Sequence, residues 1–165
     1  MFTRSKQPEP YKPDTSRKEW ASRAARIGEL YGELLPIIQD IQEKKPELNP
    51  FHDGKGHAQA VAESNGFMRL MDLVPNVQGN VVKMGPCAEG GVPAAQFHRI
   101  TKELCAAPKK DTPTIFMQVN ALLKQHLPDG EEKKQALRIS DDLEWALNET
   151  YLAAETKRAG KKAER

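Results

Sequence analysis

A chain of 165 residues with 38% hydrophobic, 6% aromatic and 29% charged residues has the composition of one water-soluble domain, with a core built on Leu, Ile, Val, Met and Ala. Its longest strongly apolar run, Leu34 to Ile38, is far too short to cross a bilayer. Two cysteines, Cys87 and Cys105, make no disulfide framework, so the reading is a reducing, cytoplasmic compartment.

The net charge of +2 conceals a segregated pattern. Residues 1–18 carry +3, residues 157–165 carry +4, and the stretch between them carries −5. The opening MFTRSKQPEP has no apolar h-region, and its prolines interrupt any basic amphipathic helix, so neither a secretory nor a transit leader is expected.

Residues 1–15 hold Pro8, Pro10 and Pro13, which fix φ and remove donors, so they read as an extended basic arm. Ser16 with Glu19 three residues on forms a capping box that opens a first long helix, about 17–44. Trp20, Ala24, Ile27, Tyr31, Leu34, Ile38 and Ile41 recur at alternating spacings of four and three, which is one buried helix face. Pro36 removes a backbone bond at a cost of about 3 kcal/mol, so a kink is expected near Gly32–Pro36. Gly28 and Gly32 lie on one face, where another backbone can approach closely.

Residues 45–56 read as a loop, followed by a second helix to about Leu73 with a break at Ser64–Gly66 and a stop at Pro75. Residues 75–92 then read as an irregular loop with a short extended piece at Val81–Met84. A third helix, about 93–106, starts with Pro93 and buries Phe97, Ile100 and Leu104. Thr112 as N-cap and Pro113 at the first position open a fourth helix, about 113–127. After the turn Pro128–Gly130, a fifth helix runs over about 131–159. Its stripe is Ala136, Ile139, Leu143, Ala146, Leu147, Tyr151 and Ala154, and Ser140–Asp142 is a candidate break. The expected architecture is all-α: one helical bundle over 16–159 with four to five helices, two of them long and packed side by side, and a basic tail at 160–165.

Three constellations bear on chemistry. His52, Asp53 and His57 are metal-ligand types, but their spacing matches no zinc motif, and they read first as loop and cap residues. Cys87 in the glycine-rich stretch and His98 eleven residues later supply one thiol and one imidazole, short of a nucleophile with an oriented base. Met68, Met71, Met84 and Met117 read as core filler before binding surface. No cofactor is expected.

These absences, with two long striped helices, point to a non-enzymatic helical adaptor or complex subunit that binds another protein or its own copies. Trp20, Tyr31, Trp145 and Tyr151 are the candidate anchors, and Trp145 stands out because it falls off the main stripe. The alternative is a nucleic-acid-associated subunit meeting phosphates through Arg4, Lys6, Lys12, Arg17, Lys18, Lys157, Arg158, Lys161, Lys162 and Arg165. A metal-dependent or cysteine enzyme is the third reading.

Overall fold

Ser16 caps the first helix as its spacing predicts: its hydroxyl accepts from the Glu19 N–H at 3.4 Å. In this computed structural model, which describes residues 14–48, 65–88 and 94–163, every regular element is helical. The elements are α1 (Arg17–Lys44), a 3-10 turn (Pro46–Leu48), α2 (Gly66–Ala88), α3 (Ala94–Leu104), α4 (Ala107–His126) and α5 (Glu131–Ala163). The fold is the expected all-α bundle.

Four long helices close a ring in the order α1, α2, α4, α5 and back to α1. Side-chain pairs show each neighbour to be antiparallel. Gln78 reaches the Ala24 carbonyl at 3.1 Å while Gln42 reaches Met68, so α1 and α2 run in opposite senses. The Gly66 end of α2 meets Gln118 and Val119, whereas Asp72 and Asn76 lie beside Pro108 and Asp111 of α4. Ser140 bonds Asn120 at 2.7 Å and Tyr151 bonds Thr112 at 2.9 Å, which sets α5 antiparallel to α4. Arg23 grips Glu149, while Glu33 and Ile37 lie beside Gln135 and Ile139, which sets α5 antiparallel to α1. The short α3 packs against α2, α4 and α5 at one end, burying Phe97, Ile100 and Leu104.

Three parts depart from the sequence expectation. The stretch read as a loop from Pro75 is helical through Ala88. Leu70, Leu73, Val74, Val77, Val81 and Met84 carry an inward stripe across the proline, and all are buried. Each such side chain contributes about 1.5–3 kcal/mol of burial, which together outweighs the proline's local cost of about 3 kcal/mol. Pro36 is tolerated in the same way: it sits exposed inside α1, which continues to Lys44. Second, Thr112 is not an N-cap. α4 starts at Ala107 with Pro108 in its first turn, and Thr112 is buried inside the helix, its hydroxyl donating to the Pro108 carbonyl at 2.5 Å. Third, α5 passes through Ser140–Asp142 unbroken and beyond Gly160, because the Ser140 hydroxyl is taken up by Asn120 across the helix pair.

Two glycines admit close neighbours. The Gln78 amide occupies the space a Cβ at Gly28 would need, as the small-residue face implied. At Gly66 the neighbour is backbone: a Cβ there would lie 2.7 Å from Gln118 Cβ and 2.9 Å from the Val119 nitrogen. Gly66→Ala therefore forces α2 and α4 apart, and chemical denaturation should show a loss of about 1–3 kcal/mol. Gly32→Ala, with open space around it, should raise stability slightly.

Candidate functional site on the outer face of α4 and α5

The core dictates what faces outward. α5 turns Leu143, Ala146, Leu147, Thr150, Tyr151 and Ala154 inward, so Arg138, Asp141, Trp145, Asn148 and Leu152 line its outer crest at alternating spacings of three and four. Trp145 is 60% exposed and Leu152 43%. α4 turns Thr112, Ile115, Phe116, Val119 and Leu123 inward, leaving Lys110, Met117 and Lys124 in line on its outside at intervals of seven. Met117 is 67% exposed. The register set by Ser140–Asn120 and Tyr151–Thr112 brings Met117 level with Trp145 on the neighbouring helix. Three of the four exposed large hydrophobics among the described residues thus share one surface, and the fourth, Val82, lies on α2, on the other side of α4 from α5.

This face carries both signs of charge, with Arg138 and Asp141 on the α5 crest and Lys110 and Lys124 on α4. From Ile139 to Thr156, α5 carries Asp141, Asp142, Glu144, Glu149 and Glu155 and no Lys or Arg. Two of these carboxylates are engaged within the fold. Arg23 donates to Glu149 from Nε at 2.7 Å and from Nη2 at 2.9 Å, and Lys109 pairs with Glu155. Burial, and then the charge of Asp141, push Glu144 above the usual carboxylate range. The outer face is therefore an exposed indole flanked by Arg138 and Asp141, next to a helix that bears lysines.

The structure divides the four aromatic candidates. Trp20 is fully buried, its indole N–H donating to the Thr15 carbonyl at 3.1 Å and its ring covered by the Arg23 guanidinium at 4.7 Å. Tyr151 is buried as well, its hydroxyl joined to Thr112. Both lie on the inward stripes, so both are core residues and neither is carried forward as an anchor. Tyr31 is half-buried against the core, and burial raises its phenol. Trp145, the off-stripe position, stays outside. Sequence reasoning read Met117 as core filler before binding surface, whereas it is exposed, in line with Lys110 and Lys124 once α4 is started at Ala107. Of the other methionines, Met84 is buried, and Met68 and Met71 are half-buried.

The remaining candidates do not assemble into a site. His52, Asp53 and His57 lie outside the described residues, as do Arg4, Lys6, Lys12 and Arg165. Arg17 and Lys18 are exposed at the start of α1. Lys157, Arg158, Lys161 and Lys162 fall on the last turns of the α5 backbone, with side chains outside the description. Among the described residues no three His, Cys, Asp or Glu side chains gather as metal ligands. Cys87 falls in the last turn of α2 rather than in a loop, and His98 is exposed on α3. Cys105 is half-buried, its thiol directed at the Tyr151 carbonyl at 3.7 Å. An open cleft of about 350 Å³ between α2 and α4 is lined by Arg69, Asp72, Leu73, Asn76, Asp111 and Ile115 among others, with no hydroxyl, thiol, imidazole or amine in its wall. No described helix is long and apolar enough to cross a membrane. No protein-family model, curated protein or solved structure matches the chain. The fold and surface define a class on their own: an antiparallel helical bundle with an exposed aromatic face among the described residues.

Burial pushes the Tyr151 phenol up to about 12 from 10.0, with the Thr112 hydrogen bond opposing the shift. In the unfolded chain this tyrosine ionises first, so stability is level below pH 10 and falls as the pH rises towards 12, by up to about 3 kcal/mol. Tyr151→Phe should remove this share of the alkaline loss, leaving the part due to Tyr31. At neutral pH it should cost about 1 kcal/mol for the missing hydrogen bond. Denaturation curves of both proteins across that range check it.

Proposed function

We propose that this chain is a non-enzymatic helical subunit that works through protein–protein contact, with the outer face of α4 and α5 as its contact surface. The observation that carries this reading is the coincidence of three exposed apolar side chains on one face, Met117 level with Trp145 and Leu152 two turns further along α5. Tryptophan anchors dominate many contact surfaces because a large apolar side chain loses its water shell at little rotamer cost. In a gentle extract the chain should run well above its own mass of 18.5 kDa. Trp145→Ser combined with Met117→Ser should bring it down to that mass with the protein still folded, since both side chains are more than half exposed. Native mass of 18.5 kDa for both proteins would end this reading.

One observation favours the nucleic-acid alternative. α1 starts and α5 ends at the same end of the antiparallel bundle, so Arg17 and Lys18 share that end with the basic stretch 157–163. If that end meets phosphates, the chain is retained on heparin at low salt and released steeply as salt rises. Deleting 1–15 and 158–165 would abolish retention, and an unchanged elution would sink the alternative.

A further inference from the structure

We infer that the α3 end of the bundle carries a seat for the phosphate backbone of a nucleic-acid duplex. It is formed by α3 with the ends of α2 and α5 and the start of α4. The inference rests on the nucleic-acid alternative above and adds to it a folded surface, which the tails extend.

The topology gathers the cations. Lys109 pairs with Glu155, so α5 beyond that residue runs past the start of α4 and alongside α3. Asn76 of α2 lies beside Pro108, in the first turn of α4. Lys83 stands seven residues further along the same face of α2, where α3 takes the place of α4 as its neighbour. α3 turns Phe97, Ile100, Thr101 and Leu104 inward, which leaves His98, Arg99, Lys102 and Glu103 outside. Lys83, Arg99 and Lys102 thus fall in one band across α2 and α3, beside the basic stretch 157–163 of α5.

Positive charge is concentrated here. Residues 80–88, 94–111 and 155–163 hold nine Lys and Arg against three carboxylates, whereas the rest of the described chain holds eleven against fifteen. Of the three carboxylates, Glu155 is taken by Lys109 and Asp111 opens on the α2–α4 cleft, which leaves Glu103. At the opposite end the fold neutralises its own lysines: Lys44 pairs with Asp40, Lys133 with Asp129 and Lys134 with Glu131. Lys83, Arg99 and Lys102 have no such partner among the described residues. Cations held together without counter-charge repel one another, and a polyanion relieves that repulsion while shedding its own counterions.

The chemistry selects the polyanion. The one aromatic ring in these stretches, Phe97, is buried, so no platform stacks the bases of a single strand. α3 and the start of α4 expose no large apolar side chain, which a helix needs to enter a bilayer surface or to anchor an acidic protein. Seven of the nine cations are lysines, point charges suited to phosphates rather than the paired donors that read base edges. The seat therefore holds a duplex by its backbone, without regard to sequence.

Fluorescence anisotropy of the full chain with a labelled DNA duplex tests this across a salt series. Binding should be indifferent to base sequence, and about six phosphate contacts give log K a slope of about −5 against log salt. Arg99→Glu with Lys102→Glu should weaken binding about tenfold or more and flatten the slope by about two, and Lys83→Glu should flatten it by about one. All three side chains are exposed, so circular dichroism should show the fold intact. Lys44→Glu with Lys45→Glu makes the same change of net charge at the opposite end and should leave the slope as it is. Equal losses from the two pairs would overturn the seat, as would a preference for single strands or anionic lipid vesicles over the duplex. Binding that is lost with residues 1–15 and 158–165 but is indifferent to Arg99 and Lys102 would overturn it and leave the tails as the contact. A full chain that does not bind the duplex ends both this inference and the alternative beneath it.

Discussion

The clasp between Arg23 and Glu149 is the constraint on which the rest of the molecule depends. It joins the first described helix to the last across 126 residues of chain, and both side chains are about nine-tenths removed from water. A guanidinium and a carboxylate taken out of water must meet in good geometry or cost several kcal/mol. Here two parallel hydrogen bonds satisfy the carboxylate, and the flat guanidinium also covers the Trp20 ring. One nitrogen, Arg23 Nη1, finds no acceptor among the described residues, so the clasp is rigid in position without being fully satisfied. Apolar burial is indifferent to sliding by a turn, whereas this pair is not. It therefore fixes where α5 sits along α1.

That register sets the surface. With Glu149 turned to α1 and Ser140, Tyr151 and Glu155 turned to α4, the crest between those contacts holds Trp145 and Leu152. The same contacts leave Asp141 exposed one turn before the indole. The make-up of the outer face follows from which carboxylates the fold itself uses.

Much of the architecture was legible in the sequence. The alternating spacing from Trp20 to Ile41 and the Ser16–Glu19 box give α1 to the residue, because side-chain burial and capping there agree. α2 was cut short because proline carries a strong local signal, while the counterweight, a continued inward stripe from Val77 to Met84, takes effect only when α1 and α4 are present to bury it. Thr112 misled for a related reason. Threonine before proline has the pattern of a cap, yet its hydroxyl is spent on Pro108 and Tyr151, a partner 39 residues away.

The candidate site was half legible. Trp145 announces itself by falling off the stripe, and Trp20 and Tyr151 announce burial by falling on it; their aromatic character alone had suggested anchors. Met117 was hidden because its neighbour Trp145 is 28 positions away and the two share a surface only through the α4–α5 register. The measurement that tests this account most directly is a double-mutant cycle on the clasp, with Arg23→Met, Glu149→Met and the pair together, read by chemical denaturation. The account predicts a coupling of about 2 kcal/mol, with each single change costing more than the double. Strictly additive losses would mean that α1 and α5 are not held in this register, and the shared outer face would lose its basis.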